Sequence, residues 1–364
     1  MNLDKETFFR ETLLEWFSTN YRPMPWKGEK NPYWVWLSEI ILQQTTVSMG
    51  LPYYERFVER YPSVKSLADA PEDDVMKMWE GLGYYSRARN LHATAKHISN
   101  ELKGSFPTSY ESLLTLKGVG TYTAAAIASF AFDLPHAVLD GNVYRVLSRF
   151  FGITQPIDTP QSKRLFTDLA NAVLDKKRAA DFNQAMMDFG ATHCMPAKPN
   201  CKNCLMKTEC VAFQEKRVHE LPIKSKKIEK KERFFNYLVI SAGDFTFIKK
   251  RLDKDIWQNL YEFPLIETNC LIENLSDAIV KDEIKENDLN DVLKFDFKVL
   301  KKSPPYIQLL THRKIIAQFW EIEMPADFSF TDGNYLNIER KNLTKFAFPK
   351  VIDLYLNSSE LTLF

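Results

Sequence analysis

Apolar residues recur three or four places apart through most of the first 220 positions, the spacing of helices that bury one face. From Asp4 to Thr19, Phe9, Leu13, Trp16 and Phe17 share one side of an amphipathic helix. Asn31-Pro32 starts a second helix running to Leu42, with Asn as cap and Pro at its first position. Further helices are predicted over Val47 to Tyr61, from Pro71 through Val75, Met78 and Trp79, and on to Lys103, where Gly104 and Pro107 stop the run. Thr108 with Glu111 reads as a capping box for a short helix ending near Leu116. Two more helices follow, over Ser162 to Leu174 and Asp181 to Ala191. From Phe234 the period shortens to that of strands. Phe235 to Ser241 and Phe245 to Lys250 flank an Ala-Gly-Asp turn and are expected to form a hairpin. Strands at Phe295 to Leu300, Gln308 to His312 and Ile315 to Glu323, with helices at Ile272 to Ile284 and Lys350 to Leu356, complete the pattern. It predicts an all-α domain over residues 1–221, a basic linker over 222–233 and an α+β domain over 234–364.

The first candidate chemistry lies between Leu113 and Arg149. In Leu116-Lys117-Gly118-Val119-Gly120-Thr121 the two glycines predict a tight hairpin. An alanine-rich helix follows from Thr121, which makes a helix–hairpin–helix. Backbone N–H groups at Gly118, Val119, Gly120 and Thr121 would stand open at a helix N-terminus, an arrangement that suits a phosphate oxygen. Asp140 comes next, before a helix that Asn142 could cap and whose apolar face is Val143, Val146, Leu147 and Phe150. The helix dipole would hold that carboxylate ionised. A glycine turn between two core helices, with an aspartate cap, describes the same residues.

Glu39 is the odd residue in the apolar run Tyr33 to Leu42. Pointing inward, it would be raised above its free pKa of roughly 4.3 and could hold a proton near neutral pH. Pointing outward, it would lie on the one polar stripe of the helix. Gln43-Gln44-Thr45-Thr46 is a polar patch too uncharged for an ordinary solvated end. In Gly81-Leu82-Gly83-Tyr84-Tyr85-Ser86-Arg87-Ala88-Arg89, aromatics that can wedge between bases precede arginines that can reach phosphates. Packed tyrosines at a helix N-terminus are the other reading of that loop.

Composition narrows the picture modestly. The 364 residues carry a net charge of +1, and 45% are hydrophobic, which favours ordinary globular folding and two domains. No run is apolar enough for a membrane span, and Asp4 and Glu6 stand where a secretory signal needs bases, so a cytoplasmic protein is expected. Four of the five cysteines, Cys194, Cys201, Cys204 and Cys210, fall within one short loop, and Cys270 stands apart. In a reducing compartment that cluster reads as a metal site. One C-x-x-C knuckle with two flanking single cysteines favours a [4Fe–4S] cluster over structural zinc. Lys198, Lys202 and Lys207 would give that loop a basic surface suited to a DNA backbone.

Taken together, Ser38 to Thr45, Gly81 to Arg87, Leu116 to Ala124, Leu139 to Arg145, Asn183 to Asp188 and the four cysteines resemble the adenine DNA glycosylases, the MutY family. That family lies within the helix–hairpin–helix superfamily that includes endonuclease III. The resemblance implies a DNA repair enzyme that removes adenine mispaired with 8-oxoguanine, or with guanine, in duplex DNA. It implies Glu39 as the catalytic acid, Asp140 as the catalytic aspartate and Asn142 as the residue orienting the site. The pKa values of the two acids would then be shifted in opposite directions. Gln44 and Tyr84 match residues that wedge into the duplex and support flipping of the base. Tyr122 stands where the bifunctional lyases carry a Schiff-base lysine, which implies a monofunctional enzyme. The C-terminal region, through Leu260-Tyr261-Glu262-Phe263-Pro264, resembles a Nudix-like domain without the Glu-rich metal box. The family's 8-oxoguanine-reading loop, often Phe-Ser-His, would be Leu310-Thr311-His312, which implies Thr311 and His312 in recognition of that base: the hydroxyl and the histidine are kept and the aromatic is lost. Lys27 stands where arginine is frequent. The chain is expected to act as a bacterial cytoplasmic monomer on DNA. Two rivals remain at this point: an endonuclease III-like lyase, against which Tyr122 speaks, and a non-catalytic iron–sulfur DNA-binding protein, against which Glu39 and Asp140 speak.

Overall fold

In the computed structural model, which describes residues 3–225, 229–275, 292, 297–331 and 333–358, the N-terminal amphipathic segment forms α1 (Leu3–Thr19). Its buried Phe9, Leu13, Trp16 and Phe17 pack with Val143, Val146, Leu147 and Phe150, and with Phe166 and Phe182. The Phe9 and Phe150 ring centroids are 4.7 Å apart. The apolar face predicted after Asp140 is therefore the core against which α1 closes.

The chain divides into two compact units. One comprises Met1–Asp69 and Asn90–Lys227, the other Ala70–Arg89 and Ile228–Phe364. The first is helical: α1, α2 (Pro32–Leu42), α3 (Val47–Arg60), α4 (Val64–Ala68), most of α6 (Ser86–Asn100), α7 (Tyr110–Leu114), α8 (Thr121–Phe132), α9 (Gly141–Phe151), α10 (Pro160–Val173), α11 (Ala179–Asp188) and α12 (Val211–Gln214). Helix α2 begins as its sequence requires, with the Asn31 side chain accepting from Tyr33 N and Pro32 in the first turn. Helix α7 is capped one residue later than expected. Ser109, not Thr108, accepts from Ser112 N at 3.2 Å, and its hydroxyl donates to Ser112 Oγ at 2.9 Å.

The second unit contains α5 (Glu72–Met78) although the sequence pattern groups that stretch with the other helices. Polar anchors explain the difference. Asp73 accepts from Lys250 at 2.5 Å and from the Tyr261 hydroxyl at 2.9 Å. Glu72 accepts from Asn259 at 2.7 Å, and Glu80 accepts the Phe348 backbone N–H at 2.8 Å. Arg89 donates to the Gln258 carbonyl at 2.6 Å. Helical periodicity reports that a face is buried, not what covers it.

The sheets hold a second correction. Strands β1 (Lys231–Ser241) and β2 (Phe245–Lys250) do not form a hairpin. β1 lies beside β4 (Leu265–Thr268) and, in parallel, β7 (Arg313–Glu323). β2 pairs instead with β3 (Tyr261–Glu262) and β8 (Tyr335–Glu339). Only an Ala242–Phe245 bridge spans the turn, so the chain switches sheets there. On the far edge of β7, β5 (Lys298–Lys302) and β6 (Tyr306–Leu309) pair with successive halves of that long strand. The strand expected over Phe295 to Leu300 is seen as Lys298–Lys302, its first two positions lying outside the described residues, and the one expected over Gln308 to His312 runs Tyr306–Leu309. One apolar layer joins Leu238, Ile240, Phe247, Trp320 and Ile322. Elsewhere in the unit Phe319 stacks 4.0 Å from Tyr355 of α13 (Lys350–Leu356). The helix expected over Ile272 to Ile284 falls mostly outside the described residues. No helix among the described residues is long and apolar enough to cross a membrane.

Candidate active site and cysteine loop

Helix α2 turns Glu39 inward, among Val35, Trp36, Ile40 and Ile41, leaving it 7% exposed. The polar-stripe reading therefore falls. Burial pushes the Glu39 carboxyl up to about 7, and the charge of Asp140 pushes the same way. A hydrogen bond from Tyr122 opposes them only in part. Tyr122, one residue into α8, also reaches Met187 Sδ at 3.8 Å, and burial raises its hydroxyl well above the ordinary value. Three helices thus bring Glu39, Tyr122 and Asp140 into one electrostatically coupled group.

Asp140 is itself the cap of α9, and Asn142 is the second residue inside. One carboxylate oxygen accepts from Asn142 N and Val143 N, each at 2.8 Å, and the other accepts from Asn142 Nδ2 at 2.7 Å. Opposite shifts were expected for the two acids, but burial raises Asp140 as well as Glu39. The difference between them lies in the partners. All three of Asp140's neighbours are donors, and Arg145 adds positive charge, so everything bonded to this group favours its ionised form. Glu39 has one tyrosine hydroxyl against full desolvation.

Sequence reasoning passed over Arg145. Its guanidinium, largely buried, donates to Asn142 Oδ1 and Gly190 O, both at 2.7 Å, and to Cys194 O at 2.8 Å. Its spacing, one turn after Asn142 on the same helix, was the available signal. Gly190 is needed for close approach, because a Cβ there would lie 2.6 Å from the Asn142 Cβ. Lys27 pairs with Asp188 at 2.5 Å, both buried, and burial lowers the lysine.

Cys194, Cys201, Cys204 and Cys210 are unbridged and half-buried, and line one cavity with Val146, Phe150 and Arg149. Arg149 donates to Cys194 Sγ at 3.4 Å and to the Met195 and Pro196 carbonyls. Burial pushes the Cys204 thiol up to about 12, and Cys201 and Cys210 also rise. Among the described residues no histidine, cysteine and carboxylate side chains converge closely enough for a single ion.

In the hairpin, Gly118 takes φ 80°, and a Cβ on it would meet Asn90 at 2.7 Å. Gly120 does not share that conformation. At φ −90° it is extended and caps α8 without a side-chain acceptor, leaving the first-turn N–H groups uncapped by any side chain. Val119 N is not open as expected; it donates to Leu116 O at 3.1 Å. Gly118, Gly120 and Thr121 are exposed. Gln44 is exposed at φ 53° between α2 and α3.

The second unit brings two further predicted residues together. The Tyr84 hydroxyl lies 3.1 Å from Thr311 Oγ1. Tyr84 is 47% exposed at φ 48°, a conformation that costs a bulky residue about 1–3 kcal/mol. Thr311 and His312 are exposed in the turn between β6 and β7, closed by Leu310 N donating to Arg313 O at 2.8 Å.

A family model described as HhH-GPD superfamily base excision DNA repair protein matches residues 37–172, which hold Glu39, Tyr122 and Asp140. The adenine DNA glycosylase of Buchnera aphidicola subsp. Schizaphis graminum is 39% identical over 264 residues, 71% of this chain and 75% of that protein. This chain belongs to the adenine DNA glycosylase family. The family's member from Buchnera aphidicola subsp. Acyrthosiphon pisum is 34% identical over 304 residues, covering 83% of this chain and 87% of its own length. The human member is 42% identical over 218 residues, 57% of this chain and 40% of that protein. Among solved structures, a thermostable thymine-DNA glycosylase superposes with a TM-score of 0.55 at 30% identity, over 58% of this chain and 98% of its own. Endonuclease III in a non-covalent DNA complex, at TM-score 0.52 and 20% identity over 59% and 98%, shares the fold of the helical part.

Proposed function

We propose that this chain acts, as a monomer, as a monofunctional glycosylase that hydrolyses the N-glycosidic bond of adenine paired with 8-oxoguanine or guanine in duplex DNA. The observation that carries the reading is the coupled pair of carboxyls, one holding a proton near pH 7 and the other wrapped in donors. Once the adenine is extruded from the stack, Glu39 gives its proton to a ring nitrogen of the base. The bond to the sugar breaks with its electron pair on adenine, and the developing sugar cation is stabilised by ionised Asp140. Water adds its oxygen to the sugar carbon, and its proton returns to Glu39. Asn142 and Arg145 hold Asp140 in place. Tyr122 puts a phenol where a lyase needs an amine, so no Schiff base forms.

The exposed hairpin at Gly118, Gly120 and Thr121 suits a DNA phosphate, with Val119 contributing position only. Gln44 and Tyr84, both exposed, suit insertion into the opened duplex. The four cysteines line one cavity, and four cysteine sulfurs from one short loop are a donor set that fits a [4Fe–4S] cluster. Cys194, Cys201, Cys204 and Cys210 would hold it as thiolates, and when bound it would cross-link the four and fix the loop beside α9. One mixed and one antiparallel sheet, with α13, support the Nudix-like reading of the second unit, with Thr311 and His312 facing the base opposite the target.

The testing experiment is incubation with a duplex carrying adenine opposite 8-oxoguanine, using protein that shows the broad visible absorption of the cluster. Strand breaks are expected only after alkali. Breaks without alkali would make the enzyme a lyase, and no breaks at all would remove the glycosylase reading. Thr311→Ala is expected to lower the preference for 8-oxoguanine:adenine over guanine:adenine by about tenfold, on the scale of one lost hydrogen bond. Equal loss on both pairs would show that Thr311 does not read the oxidised base.

A further inference from the structure

The loop bearing Tyr84 is held from beneath by a side chain that the mechanism above does not use. Gly81, Gly83 and Tyr84 all have left-handed backbones, at φ 87°, 76° and 48°. Nothing in the tyrosine itself favours that state. Arg87, 8% exposed, lies under the loop. Its guanidinium sits 5.0 Å from the Trp79 ring and 5.6 Å from the Tyr84 ring. The same group donates to the Gly83 carbonyl at 3.2 Å and reaches the Leu82 carbonyl at 3.4 Å. Trp79, fully buried, donates its Nε1–H to the Gly83 carbonyl at 3.0 Å. The Arg87 backbone N–H closes the turn onto Tyr84 O at 2.9 Å.

We infer that Arg87 is a positioning residue: it clamps the Gly83 carbonyl and the face of Tyr84, so that the Tyr84 hydroxyl stays on Thr311. A planar guanidinium can lie against both rings while its Nη2 serves both carbonyls, and a lysine ammonium offers no plane to the rings. The inference rests on the proposal that Tyr84 and Thr311 meet the base opposite the target. Arg87 then governs which opposite base is accepted while leaving the chemistry at Glu39 and Asp140 alone.

Two variants and two readouts test this. Arg87→Lys keeps the charge and loses the planar group between the two rings. Trp79→Phe keeps a ring under Arg87 and loses the N–H to Gly83. The first readout is hydrogen–deuterium exchange of the peptide spanning Gly81 to Ser86. Both variants should exchange faster there by tenfold or more, with α2 and α8 protected as in the wild type, and Thr311→Ala should leave the peptide unchanged. The second readout is kinetic. Arg87→Lys should cut the 8-oxoguanine:adenine over guanine:adenine ratio of kcat/KM about tenfold, with the saturated single-turnover rate within threefold of wild type. Adding Thr311→Ala to Arg87→Lys should cost little more. If Arg87→Lys fails to fold, Trp79→Phe carries both readouts. Unchanged exchange in the loop overturns the clamp whatever the substrate preference proves to be. Faster exchange in the variants, together with a wild type that shows no 8-oxoguanine preference, would keep the clamp and overturn the assignment of the opposite-base site. Faster exchange with additive kinetic losses would separate Arg87 from Thr311 and overturn the coupling.

Discussion

Asp140→Asn should leave a folded, DNA-binding protein whose single-turnover excision of adenine is slower by a factor on the order of 10³. Folding survives because asparagine caps a helix about as well as aspartate. Its side-chain oxygen can still accept from the N–H groups of Asn142 and Val143, as Asp140 does at 2.8 Å. What cannot be kept is the second oxygen. Asn142 Nδ2, now 2.7 Å from Asp140 Oδ2, would face another amide NH2. Leaving that donor unmet costs about 1–3 kcal/mol, and Arg145 loses part of the charge that orients it. The larger loss is kinetic. A neutral amide offers no charge to a developing sugar cation, and the benefit of a charge in a desolvated site is far greater than in water. The measurement is single-turnover excision with a parallel binding titration on the same duplex. A variant within tenfold of wild type in rate, with binding intact, would mean that the cation is stabilised elsewhere.

Glu39→Gln should remove a factor of about 10²–10⁴ in rate and flatten the pH profile. Burial has carried this carboxyl from 4.5 to about 7. As the proton donor it is ready below pH 7, and the wild-type rate should fall almost tenfold per unit above it. The linkage to stability has the matching sign. Between its unfolded value and 7 the folded state holds a proton that the unfolded chain has released, so stability is greatest at the acid end and falls as pH rises through that window. Glutamine has no proton to lose, and its side-chain oxygen can still accept the Tyr122 hydroxyl. At pH 8 Glu39→Gln should therefore be more stable than wild type, by up to about 3 kcal/mol. Thermal melts of both proteins at pH 5.5 and pH 8 read this directly. Equal pH dependence in the two would show that Glu39 is not the buried titrating acid.

The sequence alone determined a good deal. Helix positions in the first part followed from apolar spacing, since a helix must bury one stripe. Glu39 stood out because a carboxyl in an apolar run must either point outward or change its pKa. The cysteine loop stood out because four thiols within seventeen residues can meet without help from the rest of the fold. Even where details moved, as with the cap at Ser109 or the extended Gly120, the element remained and only its boundary chemistry changed.

Tertiary structure decided whatever depended on partners distant in the chain. It turned Glu39 inward and set Tyr122 and Asp140 against it, 83 and 101 positions further on. It made Arg145 the brace between Asn142 and the loop at Cys194. It split β1 and β2 between two sheets, because alternation along a strand marks a buried face without choosing a neighbour. And it carried Ala70–Arg89 into the unit of the strands, where Tyr84 meets Thr311. Local patterns reflect each residue's own preference for water or core, and that preference is legible in one dimension. Which two buried faces or which two polar groups satisfy one another is settled only when the whole chain has closed.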